Sequence, residues 1–286
     1  MLKFNRILRK RTFENYSNLP YLNASKAVEG LKSAAHLKAA LDGEKVYNSK
    51  SMELGKVLHA MVEGEKKTIV VEPDFSQEDK NIDSKGNRSF SKLTKWAKTE
   101  AAKFKKDNAG KWIVSADDYF AAESMFSKIK KNKIAWNLIK GSKKEVSIVA
   151  DIKGVKCKGR LDGLNVEKNV FWDVKTARSA ETKEFGRQGC KLNYPFKMAF
   201  YNLILKAIGI NVDAAFFIVV ENCGIYETNV IEFSTIEIEQ FETQVFEILE
   251  MFKRCKKSKS WPERYSDFEP FFIPDYFFPE SGGFYE

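Results

Sequence analysis

The chain has 286 residues, of which 43% are hydrophobic, 13% aromatic and 30% charged, a balance that excludes a disordered or fibrous protein. No apolar run approaches the roughly 20 residues that cross a bilayer; residues 214–220 form the longest and read as a buried strand. Lys and Arg number 48 against 39 Asp and Glu, net +9, which favours a polyanionic partner, nucleic acid first.

In chain order, residues 1–22 are basic, then aromatic, and are expected to lie over the surface. MLKFNRILRKR lacks the apolar stretch of a secretion signal, so the protein is expected in the cytoplasm. Asn23 or Ser25 can cap a helix through KAVEGLKSAAHLKAAL, which Asp42-Gly43 ends. A second helix covers 50–64 and a strand TIVVEP follows. The polar stretch 74–91 reads as a mobile loop, and SKLTKWAKTEAAKFKK as a basic helix. Ser115 or Asp117 starts the next helix, and a short one ends near Gly141. The pattern then changes: EVSIVAD, VKCKGRLDGLN and NVFWDVKTA are short strands separated by turn signals at 151–154 and 165–169, close enough to pair antiparallel. A helix over 194–208, strands AAFFIVVE and IYETNVIEF, a long helix over 234–257 and a Pro-rich aromatic tail complete the chain. No linker composition divides it, so a single domain is expected, with 1–140 mainly helical, 141–233 a sheet core and 234–286 a helix and tail.

Cys157, Cys190, Cys223 and Cys255 are widely spaced with no C-x-x-C pair, which argues for reduced thiols rather than a zinc or iron–sulfur site. The absence of G-x-x-x-x-G-K-[ST], G-x-S-x-G and G-x-G-x-x-G fingerprints argues against a P-loop ATPase, a serine hydrolase or a dinucleotide enzyme.

The chemistry concentrates on the central strands. Alternation places Asp173 and Lys175 on one face with Val174 opposite, and puts Lys158, Arg160 and Asp162 together on the preceding strand. A turn of this length can bring Asp162 to Asp173. Carboxylate oxygens with the Val174 carbonyl suit Mg²⁺ or Mn²⁺, which would bridge a scissile phosphate, while Lys175 would orient a water or stabilise the phosphorane. Glu145 can add an oxygen. His59 and Glu63 share a helix face, so His59 can complete the site, and Gly55 on that face would allow close approach to the sheet. Tyr194, Lys197 and Tyr201 are spaced to line the same cleft, and Arg160, Lys158 and Arg178 are candidates for phosphate contact. Basic runs at 3–11 and 92–106 can track DNA or merely solubilise, and the run at 253–259 also complements a helix C-terminus.

In this order, GKVLHAMVEGE, EVSIVAD, CKGRLDGL, FWDVKTA and YPFKMAFY resemble the RecE (exonuclease VIII) branch of the PD-(D/E)XK nucleases, related to lambda exonuclease and the RecB nuclease domain. The resemblance runs from about residue 22 to 265. It implies an α/β, restriction-endonuclease-like core: a central mixed β-sheet flanked by helices, with a helical N-terminal part. Carried onto this chain, Asp162 matches the motif aspartate, Asp173 and Lys175 the (D/E)-x-K pair, His59 a helical metal ligand and Glu145 the glutamate opening the core strands. Tyr194 and Tyr201 match the tyrosines of a Y-x-x-Q-x-x-x-Y helix, but Lys197 stands where glutamine is usual. The implied activity is Mg²⁺-dependent digestion of double-stranded DNA from its ends, 5′ to 3′, by a ring-shaped homo-oligomer working with a single-strand annealing protein. Other nucleases of the superfamily, endonucleases or single-strand nucleases, and an inactive DNA-end-binding protein remain alternatives on the residues alone.

Overall fold

The computed structural model describes residues 5–8, 13–43, 50–64, 69–265, 269, 271–272 and 274. The elements in chain order are β1 (Arg6–Ile7), α1 (Phe13–Ser17), α2 (Ala24–Ala27), a 3₁₀ turn (Val28–Leu31), α3 (Ala34–Asp42), α4 (Lys50–Glu63), β2 (Ile69–Glu72), a second 3₁₀ turn (Phe75–Gln77), α5 (Lys95–Asp107), β3 (Trp112–Ser115), α6 (Ala116–Lys131) and α7 (Lys133–Lys140). The second half holds β4 (Lys143–Ile152), β5 (Val155–Asn165), β6 (Val170–Ala177), α8 (Thr182–Lys191), α9 (Tyr194–Ala207), β7 (Ala214–Glu221), β8 (Thr228–Ser234), α10 (Thr235–Gln240) and α11 (Glu242–Ser258). Among the described residues, no helix is long and apolar enough to cross a membrane.

Several sequence expectations change. The helix expected over 26–41 breaks because Asn23 caps α2 and Ser33, accepting from the His36 amide, caps a new helix, α3. The one expected over 234–257 divides at Phe241 into α10, closed by a capping box between Ser234 and Glu237, and α11. The 74–91 stretch is ordered: the buried Asn81 amide donates to the carbonyls of Ser76, Ser89 and Ser91 and accepts from Thr94. Lys92 precedes α5 and lies 3.4 Å from Asp74, so it is not part of the basic helix. β3 and α8 carried no sequence signal that had been recognised, and β3 pairs parallel with β2. The described part of residues 1–22 lies largely on the surface as expected, but it is anchored: β1 pairs with β4, and Tyr16 and Leu22 are buried. Most of the basic run at 3–11 and of the aromatic tail lies outside the described residues.

The main sheet has six strands in the order β1-β4-β5-β6-β7-β8, antiparallel except for the parallel β6–β7 pair. That parallel pair requires a crossover, supplied by α8 and α9. Alternation along β6 and β7 builds two cores. Phe171, Ala177, Ala215, Phe217 and Val219 join α9, α11 and the N-terminal helices on one face. Trp172, Val174, Ile218 and Val220 join Leu58 and Met61 of α4 and Met125 and Ile129 of α6 on the other.

The β5–β6 ladder is short, running only from Asn165↔Val170 to Gly163↔Trp172. Trp172 lies across Gly163 so closely that a Cβ there would sit 2.0 Å from the indole, and its Nε1 donates to Ser142 Oγ at 2.9 Å. Beyond this point β5 and β6 part. The β4 side of β5 is paired from Val155 to Leu161, so the bridge from Leu22 to Cys157 must lie on the opposite edge, the one that β6 has vacated. Leu22 donates to Lys156 O at 3.1 Å and accepts from the Lys158 amide at 2.8 Å.

The same place carries a phase shift. Val155, Cys157 and Leu161 face the first core, as does Leu164 three residues on, so the alternation of β5 slips by one residue between them. Glu145, between the paired positions 144 and 146 of β4, has φ of 53°, a left-handed conformation costly for a non-glycine residue. Asp162 lies at this slip.

Candidate active site

Where β5 and β6 part, the Asp162 carboxylate substitutes for the missing strand partner. Its Oδ2 accepts the Val174 amide at 2.8 Å, which holds the acid against the next strand. His59, delivered by α4, places Nδ1 3.4 Å from the same oxygen. Burial pushes the Asp162 carboxyl up to about 6; Asp173 also raises it, while His59, Lys175 and the Val174 amide oppose the shift.

Lys175 pairs with Asp173 along β6. Burial works against its ammonium, yet Asp173 and Asp162 outweigh that cost and its pKa is raised. Lys175 is therefore a firm cation at neutral pH, suited to holding charge on a phosphoryl oxygen. Asp173 Oδ2 is buried, and the Lys175 ammonium is its partner.

Helix α9 closes one side. It starts at Tyr194, after Asn193 in the left-handed region, with proline in its first turn. The Tyr194 ring lies under two ammonium groups, Lys175 at 5.4 Å and Lys197 at 5.5 Å. Burial lowers the Lys197 pKa and the nearby Lys175 adds to this, against Asp173 and Glu29. Burial raises both Tyr194 and Tyr201, and Asp173, Tyr16 and Asp162 add to the rise at Tyr201. Gly159 lets α9 approach β5, since a Cβ there would stand 3.2 Å from Tyr201 and Ile204. Gly55 is less tight than expected: its nearest neighbour would be Thr176 Oγ1 at 3.6 Å, an ordinary contact that alanine tolerates.

Three expectations are corrected. Glu145 pairs with Arg160 across β4 and β5, so its carboxylate is engaged by a guanidinium instead of offering a metal oxygen. Arg160, with 14% of its side chain exposed, braces those strands and does not reach out for a phosphate. Glu63, also beside Arg160, His59 and Lys144, is raised mainly by burial. Lys158 is only 3% exposed, and its ammonium donates to the carbonyls of Tyr16, Ser17 and Leu19, which removes it from any DNA surface. Lys158 and Asp162, assigned to one face, serve different places because the carbonyls of Tyr16, Ser17 and Leu19 capture the Lys158 ammonium. Arg178 remains exposed just after β6, on a turn tied down by Asn222 N to Ala177 O and Asn229 Nδ2 to Ala180 O.

The candidate donors are therefore two carboxylates, the Val174 carbonyl and the His59 imidazole, although as placed the three side chains do not gather into one ligand cluster. Hard oxygens with one nitrogen fit Mg²⁺ or Mn²⁺ by their chemistry, and Asp173 Oδ2 already attracts one cation, the Lys175 ammonium. Among the described residues no three His, Cys, Asp or Glu side chains form a ligand cluster, so backbone and water must complete any coordination shell. Two cavities, of about 290 and 760 Å³, are lined by none of these residues.

Sequence reasoning missed Tyr16 and the segment that Lys158 holds. It also missed Gly159 and Gly163, although two glycines inside one strand are a signal of close approach.

A mixed sheet flanked by helices, with two acids and a lysine where two strands diverge, is the arrangement of the restriction-endonuclease-like fold. The model of a PDDEXK-like domain of unknown function (DUF3799) matches residues 24–269, and the chain belongs to that family, and so to the PD-(D/E)XK nuclease superfamily, with a RecE-like motif order. A crystal structure named as that of a "Putative exonuclease" from Eubacterium rectale is similar to the fold, with a TM-score of 0.62, 15% identity and 90% of each chain covered. A phage related exonuclease from Haemophilus somnus 129PT matches with 16% identity over 65% of this chain and 93% of its own; its TM-score of 0.34 is too low to support an argument. No curated protein matches.

Proposed function

We propose that this nuclease is a Mg²⁺-dependent exodeoxyribonuclease that digests double-stranded DNA from its ends, 5′ to 3′, leaving 3′ single strands for an annealing partner. The observation that carries the hydrolytic reading is the convergence of Asp162, Asp173 and Lys175 where β5 and β6 separate. Asp162, Asp173, the Val174 carbonyl and His59 would hold the ion. When bound, it supplies charge neutralisation at the scissile phosphate and activation of water.

The chain's own groups do the rest. Lys175 orients the attacking water and counters charge on the pentavalent phosphorus. Tyr194 keeps the Lys175 and Lys197 ammonium groups on one ring, so two cations face the incoming backbone. Arg178 offers a phosphate contact beyond the strand end. The requirement for ends, the polarity, the ring assembly and the annealing partner rest on the RecE resemblance, with the neighbour from Eubacterium rectale adding support for an exonuclease.

The test uses linear duplex labelled at the 5′ or the 3′ terminus beside a covalently closed circle, with Mg²⁺ or with chelator. The reading predicts early release of the 5′ label, retention of the 3′ label, an intact circle and no product in chelator. Cutting of the circle would replace it with an endonuclease, and DNA retention without product would replace it with an end-binding protein.

A further inference from the structure

We propose that Lys158 is a positioning residue: its buried ammonium clamps the segment 16–22 as a wedge that keeps β5 and β6 apart at the acid pair. This rests on the nuclease reading of the site. The ammonium has three hydrogens, and three carbonyls take them: Tyr16 at 3.0 Å, Ser17 at 2.8 Å and Leu19 at 2.7 Å. The Tyr16 and Ser17 carbonyls belong to the last turn of α1, where helix carbonyls have no further intrahelical partner, and Tyr16 O also accepts the Leu19 amide at 3.2 Å. The Tyr16 ring lies 4.9 Å from the same ammonium. Lys158 thus caps a helix some 140 residues away in sequence, with no carboxylate partner among the described residues.

An ammonium buried to 3% exposure is expensive unless its donors are satisfied, so the carbonyls and the cation hold each other in place. The consequence reaches the site through Leu22. Continued in register past Gly163↔Trp172, β6 would run out at Ala177 opposite Lys158, and Leu22 occupies this far end of the edge, at Cys157. With the far end of the edge taken, β6 does not rejoin β5, and Asp162 uses its side chain on the Val174 amide. The wedge also sets Tyr16 beside Arg160 and Tyr201, two walls of the cleft.

The test compares full-length wild type with Lys158→Met and Lys158→Arg, by amide hydrogen exchange and by steady-state digestion of end-labelled duplex with Mg²⁺. In Lys158→Met, exchange at Leu22 and Lys158 should quicken at least tenfold while β7 stays protected. The kcat should fall at least tenfold with KM within threefold, and Lys158→Arg should recover most of it. Lys158→Gln, which keeps two donors, stands in if the Met variant fails to fold, and should lie between. Unchanged kcat despite faster exchange, or lost kcat without it, overturns the proposal. A wild type that cuts no DNA removes the nuclease reading instead, while the exchange rates still decide whether the clamp holds the wedge.

Discussion

The two ends of the β5–β6 pair differ in every respect that matters. At one end three residue pairs are in register, Trp172 is wholly buried across Gly163, and the indole N–H is satisfied by Ser142. At the other the ladder stops, a foreign segment takes the free edge, a carboxylate replaces a strand carbonyl as acceptor, and the pKa of Asp162 is driven up. The closed end is built for stability and the open end tolerates strain and buried charge, which is the pattern expected where a fold trades stability for chemistry. The closed end also limits the opening, because Trp172 anchors the last pair just before Asp173.

The contrast breaks most sharply at the open end. Lys175→Ala should lower kcat on end-labelled duplex by roughly 10³, and without metal its melting temperature should fall through the Asp173 carboxylate left without its cation, not through lost packing. At the closed end the reverse holds. Gly163→Ala forces a Cβ into the indole and should cost about 3 kcal/mol of stability by denaturant unfolding, and Trp172→Val added to it should restore part of that loss. A Gly163→Ala protein as stable as wild type would show that the anchor is not tight.

A smaller effect has a definite sign. The folded pKa of Asp162, about 6, lies above the 3.8 ordinary for an aspartate, so the native metal-free protein binds the proton more tightly than the unfolded chain. The stability this contributes is complete below pH 4 and is lost as pH rises through 6. Asp162→Asn should therefore be more stable than wild type above pH 6.5 without metal, by on the order of 2 kcal/mol, and should flatten the decline between pH 4 and 6. Smallest is Arg178→Ala, which should weaken DNA binding a few-fold and lower the slope of log affinity against log salt by about 1, whatever the sequence.

Much of this was legible in the residues. Alternation in FWDVKTA put Asp173 and Lys175 on one face, and helical spacing gave α4 with His59 and α9 with Tyr194, Lys197 and Tyr201. What failed was alternation carried too far. Period two predicts that Lys158, Arg160 and Asp162 share a role, but the slip at Glu145 and Asp162 comes from tertiary pairing that no local pattern encodes. The fate of Lys158 was equally hidden, because its partners are backbone carbonyls far away in the chain, and carbonyls carry no residue identity. Asn81 shows the same limit: a polar stretch read as mobile is ordered by one buried amide.

The most direct test of the account is the kcat/KM of Asp162→Ala, Asp173→Ala and the double variant on end-labelled duplex with Mg²⁺. If both acids serve one pocket, each single substitution removes nearly all activity, and the double lies within about tenfold of the worse single. A single variant that cuts at the wild-type rate, or losses that multiply as for independent sites, would contradict it.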